Sequence, residues 1–260
     1  LTFIIGASSG IGEGTAVMFA SYGSKLVLSG RSEENLKRVK GRCIEAGLPE
    51  QKVVYFAGDL CNNDVRKRLI ELANEKFNQL DVLVNNAGIC HLVDLSVTTP
   101  EYYDDMMNTN VRAQFFLTQH AIPHLKKSKG NIVNVSSQFS TMAVPQMYGV
   151  YCMTKATIDM FTKCLALELG PHGIRVNSVN PGSVVSNLEK RGPTGLSDKT
   201  YNYFLGLEKN RHPIGRGGLP EDIAWAIVFL ACDKSSFISG ERMYVDGASQ
   251  HVTGSVENPE

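Results

Sequence analysis

Seven short runs of β-branched and other apolar residues, at 1–5, 25–29, 52–56, 80–84, 130–136, 173–179 and 242–245, alternate with amphipathic stretches along the chain. Runs such as Val82-Leu83-Val84 are apolar at successive positions. A strand with one wet face would alternate polar and apolar residues. Continuous apolarity calls for burial on both faces, which a parallel sheet covered by helices provides. The expectation is an α/β fold built from β-α-β units. A chain of 260 residues supplies one such domain with ample core without disulfides or metals, so 1–260 is read as a single domain. Ser32 before Glu33-Glu34 and Pro220-Glu221-Asp222 mark helix starts, where hydroxyl and carboxylate groups meet orphan N–H groups and the helix dipole. The stretch 186–218, rich in Gly, Pro, Lys and Tyr, breaks the rhythm and is expected to be a lid or substrate loop.

Twenty-six basic and twenty-six acidic side chains cancel, leaving no net field to attract nucleic acid or an anionic membrane. A small neutral or mixed ligand fits better. The six cysteines are scattered, without a C-x-x-C pair, and no histidine cluster has metal-ligand spacing, so no metal site and a reduced, cytoplasmic setting are expected. No apolar run approaches the roughly twenty residues of a membrane span. The chain opens inside an apolar strand, so a targeting signal upstream of Leu1 would be invisible, and Val256-Glu257-Asn258-Pro259-Glu260 matches no receptor-read address.

A glycine turn, Gly6-Ala7-Ser8-Ser9-Gly10-Ile11-Gly12, follows the first strand and opens the next helix. One glycine permits the tight turn, one removes a Cβ from the path of a pyrophosphate, and one lets helix and sheet pack closely, while free helix N–H groups face the anion. The bland alternative is a plain strand-to-helix turn. No Gly-Lys-Ser/Thr follows, which argues against phosphoryl transfer. The second strand ends Ser29-Gly30-Arg31 with no carboxylate to hold a ribose 2′-hydroxyl, whereas Arg31 suits a 2′-phosphate. The expected cofactor is NADP(H); the competing reading of Arg31 is a solvated surface charge.

Tyr151 and Lys155 stand four residues apart and share a helix face. Lowering a phenol from pKa near 10 to about 7 takes on the order of 4 kcal/mol of preferential anion stabilisation. A neighbouring ammonium and an oxidised nicotinamide are the expected source, which makes Tyr151 the general acid or base. Tyr148 is set aside as that phenol, because Cys152 rather than lysine lies four residues on. Ser137, at the carboxyl end of the run 130–136, is placed to polarise a carbonyl oxygen, with Ser136 the alternative by one position.

Gly6-Ala7-Ser8-Ser9-Gly10-Ile11-Gly12, Asp59-Leu60, Asn85-Asn86-Ala87-Gly88, Asn110, Ser137, Tyr151-x-x-x-Lys155, Asn180-Pro181-Gly182 and Val245-Asp246-Gly247 occur in the order found in the short-chain dehydrogenase/reductases, which the chain resembles over essentially its full length. The resemblance implies a Rossmann-type, doubly wound parallel sheet of seven strands in the order 3-2-1-4-5-6-7. It implies a cofactor site at Gly6, Ser8, Ser9, Gly10, Ile11 and Gly12, with Asp59 and Leu60 at the adenine and Asn86, Ala87 and Gly88 at its ribose. It also implies Pro181, Gly182 and Val184 flanking the nicotinamide, Ser186 near its carboxamide, and Lys155 on its ribose. Asn110 would bend a helix and hold a water linked to Lys155, completing a catalytic set with Ser137 and Tyr151. Ile5 stands where the family commonly has threonine, and the segment Pro145-Gln146-Met147-Tyr148-Gly149-Val150-Tyr151 is one residue longer than usual.

By the same resemblance His91, Leu92, Gln138, Met142, Met147, Tyr148, Leu188, Tyr201, Tyr203 and Phe204 are candidates for the substrate pocket. Most are apolar or aromatic, which suits a hydrophobic ketone or alcohol. Leu165, Leu167 and Leu169 give the Tyr151 helix more apolar surface than one sheet face needs, and relatives are commonly tetramers, so a homo-oligomer, tetramer or dimer, is expected. The leading reading is an NADP(H)-dependent carbonyl reductase or dehydrogenase. Reduction of 3-oxoacyl thioesters is the alternative, with Lys190, Arg191, Lys199, Lys209 and Arg211 as a docking patch for an acidic carrier. A non-catalytic dinucleotide-binding scaffold or sensor is the alternative of another class.

Overall fold

A computed structural model describes residues 1–143 and 147–252. Pro145 and Gln146, in the segment singled out for its length, and the residues Val256 to Glu260 lie outside that description. Seven parallel strands, β1 (Thr2–Ile5), β2 (Leu26–Gly30), β3 (Val53–Ala57), β4 (Val82–Asn85), β5 (Asn131–Val135), β6 (Arg175–Pro181) and β7 (Arg242–Val245), form one sheet in the order β3-β2-β1-β4-β5-β6-β7. The order reverses between β1 and β4, and open α/β sheets bind ligands at the carboxyl ends of the strands flanking such a point.

Successive residues of one strand feed two different cores. Ile4, Leu28, Val84 and Val133 pack with Ala16 and Phe19 of α1 (Gly10–Ser21), Leu36 and Val39 of α2 (Glu33–Glu45), and Ile223 and Ile227 of α8 (Pro220–Ala231). Their neighbours Phe3, Ile5, Val27, Leu83 and Ile132 face the opposite layer. There they meet Leu69 of α3 (Asn63–Phe77), Leu117 and Leu125 of α5 (Ala113–Ser128), and Leu165 and Leu169 of α6 (Gly149–Leu169). Each of these leucines and isoleucines contributes on the order of 2 kcal/mol by leaving water. The edge strands β3 and β7 are only partly covered.

Two features below the strand ends position chemistry. The short helix α4 (Pro100–Met107) passes into α5 through a π-helical turn, Asn108–Arg112, which turns the fully buried Asn110 toward the sheet. The stretch 186–218, expected as a loop, contains a helix of its own, α7 (Asp198–Arg211), started by Ser197 accepting from the Thr200 N–H at 3.2 Å. Its base is closed, since Gly218 donates to the Ser183 carbonyl at 2.8 Å and Val185 donates to that of Gly218 at 3.0 Å.

Candidate active site

A cleft runs along the carboxyl ends of the strands from Arg31 and Asp59 at one end to Ser137, Tyr148 and Tyr151 at the other. It is lined by Gly6, Ser8, Ser9, Gly10, Ile11, Leu60, Asn86, Ala87, Gly88, Lys155, Pro181, Gly182, Val184 and Ser186. Sequence reasoning had named all of them. Two other named positions stand behind this wall. At Gly12 a Cβ would come within 2.2 Å of the Gly6 carbonyl, so this glycine lets helix and turn pack. Asn110 donates to the Ile89 carbonyl at 2.9 Å and to Thr154 Oγ1 at 3.1 Å, and accepts from the Ile89 N–H at 2.8 Å. Both its amide hydrogens are spent in bracing the Gly88-Ile89 turn against α6.

The glycine turn has the chemistry of an anion cradle. Gly6 takes φ +73°, where a side chain would also crowd the Ala87 backbone. Ser9, the N-cap of α1, gives no side-chain bond to the first-turn N–H groups, so these donors are left for a ligand. Asn86 Nδ2 donates to the Gly6 carbonyl at 2.9 Å, locking the turn to the end of β4. Together with Asp59 and Leu60, which line the same wall, these residues fit a nicotinamide dinucleotide, whose diphosphate the free N–H groups of α1 would hold.

At the other end, β5 delivers the two serines and α6 the tyrosine and lysine. The two serines differ in what they bond. Ser136 Oγ donates to the Lys155 carbonyl at 3.1 Å and is occupied in holding α6, whereas the Ser137 hydroxyl hydrogen-bonds the Tyr151 phenol. The Lys155 ammonium lies 5.5 Å from the Tyr151 ring centroid and donates to the Val135 carbonyl at 2.8 Å. Burial pushes the Tyr151 phenol well above its ordinary range, Cys90 pushes the same way, and the Ser137 hydrogen bond opposes them. The expected fall toward neutrality is therefore not produced by the protein's own groups. Lys155, only 3% exposed, is brought down to about 8 by burial, with Asp159 opposing.

Two side chains at the site, Asp159 and Glu189, escape the sequence reading, and a third, Arg191, is expected there only as part of a docking patch and not in the cleft. Asp159, four residues beyond Lys155 on the same helix face, is buried and accepts two bonds from Asn180 Nδ2, at 3.0 and 3.2 Å. An acid at i+4 from the lysine was the available signal. Glu189 lines the cleft and accepts from the Tyr148 hydroxyl at 2.7 Å, putting a carboxylate where an apolar pocket was expected. Arg191 lines the cleft as well and donates to Ser9 Oγ at 2.6 Å. Nothing local in the sequence announces either of the last two.

The candidate substrate residues separate. Gln138, Tyr148 and Leu188 line the cleft; the other seven do not. His91 is buried, bonding Asp105 at 2.7 Å and packing on the Tyr102 ring. Tyr201 is buried and accepts from the Ser186 N–H, while Tyr203 is largely exposed. The anticipated basic docking patch is broken up. Lys190 pairs with Asp198, Arg211 pairs with Glu208, and Arg191 turns into the cleft.

Known proteins resemble this chain in sequence and fold. A family model described as "Enoyl-(Acyl carrier protein) reductase" matches residues 6–248. The 3-oxoacyl-[acyl-carrier-protein] reductase FabG of Thermotoga maritima is 36% identical, over 94% of this chain and 95% of its own. A crystal structure of a Caenorhabditis elegans short-chain dehydrogenase/reductase with cofactor superposes with a TM-score of 0.91 at 34% identity, covering 97% of this chain and 96% of that one. A 3-ketoacyl-(acyl-carrier-protein) reductase of Brucella melitensis, complexed with NADH, gives 0.84 at 33% identity, with coverage of 96% and 97%.

Proposed function

The chain belongs to the short-chain dehydrogenase/reductase family, and from that premise we propose that it is an NADP(H)-dependent reductase or dehydrogenase of apolar-bodied ketones and secondary alcohols, with Tyr151 handling the proton. As a member of the family it is an oxidoreductase using a nicotinamide cofactor on CH–OH and C=O groups. The observation that carries the residue roles is the convergence of Ser137, Tyr151 and Lys155 in the same cleft as the glycine turn.

When bound, the dinucleotide supplies the hydride donor or acceptor. The chain's own groups manage the oxygen. Ser137 donates to the substrate oxygen as it gains negative charge, in a partly dry cleft where such a bond strengthens. Tyr151, held protonated by burial, gives its proton to that oxygen in the reducing direction. Lys155 then faces a developing phenolate across 5.5 Å, measured to the ring centroid, and its charge favours the anion.

The NADP(H) preference rests on this chain's residues, since the Brucella relative was crystallised with NADH. Arg31 lies at the end of β2 inside the cleft, and the strand itself ends in Ser29-Gly30, without a carboxylate. Reduction of 3-oxoacyl thioesters is the second reading, favoured by the acyl-carrier-protein reductases among the relatives and weakened by the broken basic patch. The scattered cysteines and balanced charge support a cytoplasmic setting, and among the described residues no helix is long and apolar enough to cross a membrane. The exposed apolar face of α6 supports a homo-oligomer, a dimer or tetramer.

The deciding experiment pairs turnover of a ketone panel and of an acyl-carrier thioester with direct NADPH binding, in wild type and Tyr151→Phe. The expected result is retained binding with turnover lower by roughly 100-fold or more. Unchanged turnover in the variant would remove Tyr151 from the chemistry.

A further inference from the structure

One end of the cleft holds two arginines that reach it from distant parts of the chain. Arg31 follows directly on the end of β2 and lines the cleft. Arg191 comes from the excursion between β6 and α8 and touches Ser9 across 182 positions of sequence. Among the described residues neither guanidinium has an ion pair. Asp59 shares this end of the cleft, accepts from the Cys61 N–H at 2.9 Å and, among the described residues, makes no ion pair, while the other acids and cations nearby are committed. Glu13 on α1 is held by both Arg38 and Arg42, and Lys190, next to Arg191, pairs with Asp198 at 2.6 Å. Arg191 and Arg31 are close enough that Arg31 adds to burial in depressing the ionisation of Arg191. Two like charges turned into one cleft, neither of them ion-paired with a carboxylate, cost free energy, and a doubly charged anion held by both would reverse that cost.

We propose that Arg191 is the second jaw of a clamp whose first jaw is Arg31, that the clamp grips the 2′-phosphate of the cofactor, and that this phosphate thereby pins the substrate loop. The inference rests on the NADP(H) reading above and deepens it. Arg31 alone would give affinity, whereas a jaw carried by the loop makes the phosphate a structural tie. Leu188 and Glu189 sit two or three residues before Arg191 and line the reaction end of the same cleft. Holding Arg191 therefore also holds Glu189 against Tyr148, the contact that shapes the substrate pocket. A dinucleotide without the 2′-phosphate leaves one jaw on Ser9 and the pocket wall less ordered.

The test uses 2′,5′-ADP and 5′-ADP as probes, so that no turnover is involved, with calorimetric binding to wild type, Arg31→Ala and Arg191→Ala. Hydrogen exchange over 186–218 is followed in the same samples, and circular dichroism establishes that each variant is folded. Loss of one charge-assisted contact should cut the preference for 2′,5′-ADP about tenfold or more in each variant. In the wild type 2′,5′-ADP should slow exchange in the loop where 5′-ADP does not, and Arg191→Ala should abolish that difference. If wild type binds both probes equally, the NADP(H) reading fails and this inference with it. If wild type discriminates and Arg191→Ala discriminates equally well, the clamp alone is overturned. If Arg191→Ala weakens both probes by the same factor, the guanidinium serves the diphosphate and the 2′-phosphate assignment is wrong.

Discussion

Asn180 on β6 donates to the carbonyl of Ser137 at 3.1 Å, and the same amide bonds both oxygens of Asp159 on α6. The serine facing the phenol and the helix carrying that phenol are thus fixed to one another through a single side chain. Asn180→Ala takes from a buried carboxylate the amide that bridges its two oxygens and frees the Ser137 backbone. The expected outcome is a loss of about 2–3 kcal/mol in stability and a fall in kcat with dinucleotide affinity unchanged. Denaturant unfolding and steady-state kinetics read the two effects separately; a kcat equal to wild type would show that Ser137 needs no such anchor.

Burial keeps the Tyr151 phenol protonated through neutral pH. A raised phenol favours the neutral acid, so the reducing direction, which consumes that proton, should be flat across pH 6–8. The oxidising direction needs the phenolate, so its kcat/KM should climb with pH throughout that range. Profiles measured in both directions check this. A bell centred near pH 7 for oxidation would mean that groups outside the described set dominate the titration.

Lys155 titrates at about 8 in the folded chain against about 10.5 when unfolded. Between those values the unfolded chain binds the extra proton, so stability rises with pH there and the cost of burying the ammonium is fully present below pH 8. Lys155→Met removes this dependence. Wild type should gain on the variant by up to about 1.4 kcal/mol per pH unit once above pH 8. Urea unfolding at pH 7, 8 and 9 measures the convergence; parallel pH dependence in the two proteins would refute it.

The parts of this molecule legible in the sequence are those encoded by local pattern. Apolar runs such as Val82-Leu83-Val84 marked the strands because parallel strands are covered on both faces. Gly6, Gly12, Tyr151 and Lys155 carried their own spacing. The strand ends drifted by a residue or two, as with Gly30, which pairs with Ala57 although no apolar pattern includes it. Helix α7 was missed because its Gly- and Tyr-rich stretch obscured an ordinary Ser197-Asp198 start. Glu189, and the place of Arg191 in the cleft rather than in a docking patch, were illegible for a different reason. Each acquires its role from a partner far away in sequence, Tyr148 and Ser9, and only the folded excursion brings them together.

The outer face of α6 carries Leu167, 82% exposed, with Met153 and Met160, while Phe115 on α5 stacks near Phe161. Such a patch on adjacent helices is what a homo-oligomeric contact would cover. Leu167→Glu points into solvent in the isolated chain and should leave its folding intact, yet it places a charge in the contact. Sedimentation equilibrium should then show a smaller species than wild type. A wild type that is monomeric at micromolar concentration would dispose of the idea.

Glu189 gives the pocket a chemical preference that its aromatic walls do not. Its carboxylate accepts from the Tyr148 hydroxyl at 2.7 Å and lines the cleft with Tyr151 and Ser137. Its charge helps raise both phenols, so its field reaches the place where a carbonyl oxygen becomes anionic. A substrate carrying a carboxylate would meet that field, whereas a neutral ketone would meet mainly Phe139, Tyr148 and Leu188. At an effective dielectric near 20 a like charge within several ångströms costs on the order of 1–3 kcal/mol, or roughly tenfold or more in kcat/KM. Glu189→Gln keeps an acceptor for Tyr148 and removes the charge. It should therefore raise kcat/KM for keto acids by about tenfold while changing neutral ketones of the same length much less. A uniform change across both substrate sets would assign Glu189 to holding Tyr148 in place, with no part in choosing the substrate.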